Sequence, residues 1–202
     1  MKVGETDMYY VLQVAPGEED KTERHIMVII PDDLYKQCFH PTRHMRKKFH
    51  GKWVDTHEKL LPGYVFITTE NAKELFLELK KVPMLTKLVG RDEEYFVKLP
   101  ERDVEWLVKF MGCDGQKDSR DAGGKAGMGS TEMKADSQKY EVGLSQISID
   151  EGNEIRIVSG PLKNMEGMIR KIHLHRRMAE VEVPFMNQRT VIYLGIELLE
   201  RK

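Results

Sequence analysis

From Met8 to Val14 the chain alternates: Tyr10, Leu12 and Val14 fall on one side, and Tyr9, Val11 and Gln13 on the other. That is the two-residue period of a β-strand. Pro16-Gly17 ends the strand, and the acidic run Glu18-Glu19-Asp20 suits a helix start, where negative charge meets the positive end of the helix dipole. Lys21–Ile30 then carries Ile26, Met27, Ile29 and Ile30 as a helical core face, closed by Pro31. Cys38–Phe49 and Lys52–Lys59 predict a β-hairpin turning at His50-Gly51. Pro62-Gly63 forces a sharp entry into a strand over Tyr64–Thr69. Asn71 is placed to cap a helix over Ala72–Lys81, whose apolar stripe is Leu75, Phe76, Leu79 and Val82. Short strands follow at Thr86–Val89 and Tyr95–Val97. Pro100 opens a last helix with Val104, Leu107, Val108 and Met111 as its buried stripe and Gly112 as its stop. These elements predict an α+β sandwich, an antiparallel sheet backed by helices.

The periodicity then stops. Gly112 to about Ser145 is rich in Gly, Ser, Lys and Asp with no apolar period, which reads as a flexible linker. A linker of about thirty residues has a root-mean-square span of ~30 Å, enough to let two domains work on separate surfaces. Alternation returns at Ile155 and Ile157, is broken by Gly160-Pro161, and resumes over Met168–Leu174. The basic corner His175-Arg176-Arg177 ends that run. Beyond it Ala179, Val181 and Val183 alternate with Glu180, Glu182 and Pro184. Thr190–Tyr193 and Gly195–Leu199 supply the remaining strands. Short strands with Gly and Pro punctuation predict a small β-barrel.

Composition changes this picture little. Of 202 residues, 40% are hydrophobic and 32% charged, which suits folded cores in a soluble chain. The net charge of −1 excludes no partner, because local patches decide nucleic-acid binding. No apolar run is long enough to span a bilayer, the N-terminus has no apolar signal core, and Cys38 and Cys113 stand far apart. The expectation is a reduced, cytoplasmic, monomeric protein with no membrane partner.

Local charge is more informative. Between Tyr35 and Trp53 lie six basic side chains (Lys36, Arg43, Arg46, Lys47, Lys48, Lys52), three histidines and no acid. Two readings stand. The hairpin is a solvated edge kept from aggregating by its cations, or its cations meet a nucleic-acid backbone. In the barrel, Lys163, Arg170, Lys171, His173, Arg176 and Arg177 fall in or beside loops, and Asn187-Gln188-Arg189 form a second polar turn. Arg, Asn and Gln read base edges, whereas Lys mainly finds phosphate. A solubilising rim and a protein-binding surface are the competing readings.

Catalysis and metals find no support. His40 and His44, on one strand, would stand about 13 Å apart at ~3.3 Å per residue, too far for one ion. Neither His57 nor the pair His173 and His175 brings a ligand cluster of metal spacing. No G-x-S-x-G, P-loop or dinucleotide fingerprint is present. Glu180 and Glu182 read as the solvent side of a strand. The expectation is a binding protein, not an enzyme, without cofactor or metal.

The run from Gly152 to Pro184, with its G-x-x-x-x-I-x-x-G-P opening and R-M-A-x-V-E-V close, resembles the KOW motif, which implies a five-stranded SH3-like barrel. With Y-Y-V-L-Q-V in the first strand and L-P-G-Y-V-F after the hairpin, the chain resembles the NusG family of transcription elongation factors. The resemblance implies an N-terminal (NGN) domain over residues 1–111, a linker over 112–145 and a KOW domain over 146–202. It implies RNA polymerase as partner, held at the family's groove positions Tyr9, Tyr10, Leu61 and Tyr64; Tyr9 stands where the general factor usually has Trp. The hairpin C-F-H-P-T-R-x-x-x-K-K-F-H-G-K-W resembles the specialised antiterminating paralogues, closest to the LoaP group. That likeness implies a KOW domain binding a structured nascent RNA hairpin and a basic hairpin, Arg43–Lys52, near upstream or non-template DNA or the polymerase. The general factor implies the alternative: a KOW domain that binds a ribosomal protein or Rho.

Overall fold

The computed structural model describes residues 8–82, 85, 96–112, 140–152 and 154–199. The expected strand Thr86–Val89 and most of the expected linker lie outside the described residues. The chain forms two compact units, one from residues 1–41 and 61–104, the other from 42–60 and 105–202.

The first unit is a four-stranded sheet in the order β2-β5-β1-β6, from β1 (Tyr9–Gln13), β2 (Gln37–Phe39), β5 (Tyr64–Thr68) and β6 (Phe96–Lys98). All of its ladders are antiparallel. Helices α1 (Glu19–Ile29) and α2 (Ala72–Leu79) cover one face. Leu12, Val14, Val65 and Ile67 of the sheet meet Ile26 and Ile30 beside α2's Leu75 and Leu79 in a common core. The expected core face of α1 is corrected here: Met27 is 41% exposed and Ile29 38%, while Glu19, Thr22 and Ile26 are buried. A spacing of three and four residues puts positions 19, 22 and 26 on one stripe, which Met27 misses; Ile29 continues that stripe but is the last residue of the helix and keeps exposed surface. Asn71 makes no side-chain cap; the Thr69 hydroxyl accepts the Asn71 N–H instead, at 2.9 Å.

The second unit holds two sheets. One has the order β4-β3-β7, from β3 (Thr42–Phe49), β4 (Lys52–Lys59) and β7 (Glu141–Val142). The hairpin turns at His50-Gly51, as its sequence predicts, with φ of 46° and 83°. The expected long strand Cys38–Phe49 is divided near Pro41, and its two halves, β2 and β3, join different sheets. The second sheet runs β10-β11-β12-β8-β9, from β8 (Ser145–Ile149), β9 (Ile155–Ser159), β10 (Ile169–His173), β11 (Met178–Phe185) and β12 (Gln188–Leu198). No ladder joins β9 to β10 among the described residues, so the five strands make an open half-barrel. Ala179, Val181, Val183 and Phe185 line its core.

Three sequence expectations shift in this unit. The end of the expected linker carries β7, which pairs in parallel with β3 at Thr42 and Arg43. β12 is one strand, not two, because Gly195 is a close approach and not a break. A Cβ there would stand 2.3 Å from the His44 carbonyl oxygen and 3.2 Å from the Met45 Cα, so only glycine lets β12 pass β3 at that depth. Third, helix α3 (Glu101–Gly112) buries Asp103, Trp106, Leu107 and Phe110, while Val104, Val108 and Met111 of the expected stripe are half-buried. Its two aromatic rings pack edge to face at 5.7 Å, and the Trp106 indole N–H donates to the Pro184 carbonyl at 2.6 Å. No described helix is long and apolar enough to cross a membrane.

Candidate functional site

The expected nucleic-acid residues divide by charge pairing. On the hairpin, Arg43 pairs with Glu58 at 3.1 Å and donates to the Tyr193 carbonyl at 2.8 Å. Arg46 pairs with Asp55 at 3.2 Å and Glu197 at 2.9 Å. Lys47 also pairs with Glu58. Burial opposes ionisation of that carboxyl, but the Lys47 ammonium and Arg43 guanidinium outweigh it and hold Glu58 below its usual range. On the half-barrel, Arg170 and Arg189 both pair with Glu182, at 3.3 and 3.0 Å, and His173 pairs with Glu180 at 2.7 Å. The two glutamates do face outward, and there they take up three of the expected residues, neutralising Arg170 and Arg189 and meeting the His173 ring.

Lys48, Lys52, Lys163, Lys171 and Arg176 are exposed and have no ion-pair partner among the described residues. Arg177 is half-buried in the left-handed conformation, φ 53° and ψ 44°, after the 3-10 turn Leu174–Arg176. Its guanidinium lies 5.5 Å from the centre of the Trp53 ring. Its Nη1 is buried with no acceptor. The turn expected at Asn187-Gln188-Arg189 is centred one residue earlier: Met186 and Asn187 take φ of 50° and 62°, and Gln188 and Arg189 begin β12. Between β9 and β10, which no ladder joins among the described residues, lies an open slot of about 490 Å³, lined by Ile155, Ile157, Ile169 and Ile172 with Arg156 and Glu166.

The family model described as "Transcription termination factor nusG" matches residues 7–108. The chain belongs to the NusG family. A Thermus thermophilus NusG, a transcription termination/antitermination protein, is 24% identical over 196 residues, covering 92% of this chain and 94% of the relative. The Campylobacter jejuni NusG is 21% identical over 199 residues, covering 95% and 97%. A Thermotoga maritima NusG structure, described by its domain interaction, aligns over 94% of both chains with a TM-score of 0.44 and 17% identity.

The four residues expected at the family's groove are not brought together on one exposed surface. Tyr9 and Leu61 are buried, at 5% and 4% exposure. Tyr10 is opposite Ile67 on the helix-covered face and stacks on Phe96 at 4.9 Å. Tyr64 stands opposite Gln13, on the same side of β1 as Tyr9 and facing away from that core; it is half-buried. Glu19, which the sequence offers only as helix-dipole charge, holds this region. The buried Glu19 carboxylate accepts the Gly63 N–H at 2.6 Å and the Gly17 N–H at 2.8 Å, while Val14 donates to the Gly63 carbonyl at 2.8 Å. Glu19 thus positions the Leu61–Tyr64 segment; the sequence shows only an acid two residues after Pro16-Gly17, and its partner Gly63 lies 44 residues further on. Among the described residues no group of three or more His, Cys, Asp or Glu is placed to hold a metal. His40 instead meets Glu23 at 2.5 Å, and His44 stacks on His57 at 5.1 Å.

Proposed function

We propose that this NusG-family chain is an elongation and antitermination factor that holds RNA polymerase with its NGN domain and a nascent leader RNA hairpin with its KOW domain, suppressing termination in particular operons as LoaP-like paralogues do. The observation that supports the RNA half is the set of uncompensated cations on and beside the half-barrel, Arg176 and Arg177 foremost, where neighbouring Arg170 and Arg189 are spent on Glu182. A polyanion supplies the charge those side chains lack. Joined in one chain, the two contacts strengthen each other, because binding one partner raises the effective concentration of the other.

For the polymerase half we assign Tyr64, which keeps exposed surface beside the loop that Glu19 fixes; Leu61 is buried, and Tyr9 is buried at the other end of the same ladder, opposite Thr68. Tyr10 belongs to the core of its unit. The test is co-purification of core RNA polymerase with the full chain. Tyr64→Ala loses the complex and leaves the melting temperature close to wild type, whereas Tyr10→Ala lowers the melting temperature first. Retention of polymerase by a folded Tyr64→Ala variant would sink the assignment.

A second reading has its own observation. The isoleucine-lined slot between β9 and β10 suits a protein side chain or strand better than a nucleotide. It favours a general elongation factor whose KOW domain binds a ribosomal protein or Rho. Binding of such a protein, with no affinity for structured RNA, would select that reading.

A further inference from the structure

We infer that the β3–β4 hairpin and the basic corner of the half-barrel form one composite RNA surface, in which Lys48 acts together with Arg176 and Arg177. The inference rests on the RNA-binding reading above and changes where that RNA lies. The hairpin belongs to the same compact unit as the half-barrel. β12 passes against β3 at Gly195, and the 3-10 turn Leu174–Arg176 packs on β3. Arg43 and Arg46 of the hairpin are spent on this packing, through Tyr193 and Glu197.

What is left facing outward follows from strand register. Lys48 is directly opposite Trp53, so both project from one hairpin face. The Arg177 guanidinium lies over that same indole. Lys48 therefore flanks the stack that carries Arg177, next to exposed His175 and Arg176, while Lys52, opposite Phe49, lies on the other face. Lys47 projects from the opposite face, opposite Val54, and is neutralised by Glu58. Two adjacent lysines thus have different fates: Lys48 faces the ligand and Lys47 braces the hairpin. A stem-loop suits this arrangement, since cations on two neighbouring elements match phosphates along a duplex strand.

The test is binding of a fluorescein-labelled RNA stem-loop to the full chain across a salt series, for wild type, Lys47→Ala, Lys48→Ala and Arg176→Ala. The composite surface requires that Lys48→Ala and Arg176→Ala each weaken binding and flatten the slope of log K against log salt by about one. Lys47→Ala should leave the slope unchanged. If Arg176→Ala alone weakens binding, or if Lys47→Ala matches Lys48→Ala, the composite surface is wrong while RNA binding by the half-barrel stands. If the wild-type chain binds no stem-loop, both fall.

Discussion

Glu58 sits between Lys47 and Arg43, and its ionised form is what keeps two hairpin cations in place. Because its folded pKa is depressed, its contribution to stability is fully present above its unfolded value, about 4.3. It is lost as pH falls through the lower folded value. Melting temperature measured from neutral pH downward should therefore fall more steeply below about pH 5 for the wild type than for Glu58→Gln; parallel curves would contradict this. Gly195 is a second residue whose role is local. Replacing it with Ala forces a methyl into the His44 carbonyl and should cost about 1–3 kcal/mol in a denaturant titration. A variant within ~0.5 kcal/mol of wild type would mean that β12 and β3 do not meet there. Neither residue announces itself in the sequence. Gly195 reads as a strand break because a glycine says only that a Cβ is unwelcome, and the reason lies on a strand 150 residues away. Paired cations such as Arg170 and Lys47 read the same as free ones, since their acids are distant in the chain or across a turn.

Elements were legible to the extent that local period settles them. β11 alternates in burial at every position, as Ala179, Val181 and Val183 indicate. The hairpin turn follows from His50-Gly51, whose residues accept positive φ. Helix faces were less legible, because a helix with apolar residues on several sides leaves its orientation to tertiary packing. In α3 the large rings prevail: Trp106 and Phe110 are buried while Met111 keeps exposed surface. The energetic consequence is measurable. Trp106→Ala removes a buried ring and orphans the Pro184 carbonyl, and should cost about 3–5 kcal/mol; Met111→Ala should cost well under half of that. Equal losses in chemical denaturation would return the buried face to the Val104–Met111 stripe. The same logic explains α1, where Glu19 takes a buried place that a hydrophobic pattern would give to Met27. A carboxylate is tolerated there because two backbone N–H groups satisfy it.

For the whole molecule, the order of elements and the punctuation of strands were enough to indicate an α+β sheet unit followed by a strand-rich half-barrel. The division into units was not legible. Sequence order puts the hairpin and the last helix with the N-terminal sheet, yet the hairpin and residues 105–112 cluster with the half-barrel. Contacts such as Trp106 to Pro184 and Arg46 to Glu197 join residues distant in the chain, and no window of sequence contains both ends. The proposed function depends on one chain holding two partners, and avidity of that kind multiplies affinity by about 10²–10⁴ when geometry permits. The direct test is terminator readthrough by purified RNA polymerase on a template whose leader encodes an RNA stem-loop from the chain's own transcription unit, against the same template with the stem scrambled. The wild-type chain should raise readthrough only with the intact stem, and Tyr64→Ala and Arg176→Ala should each abolish the gain. Equal readthrough on both templates, or a gain that survives both substitutions, would contradict the proposed function.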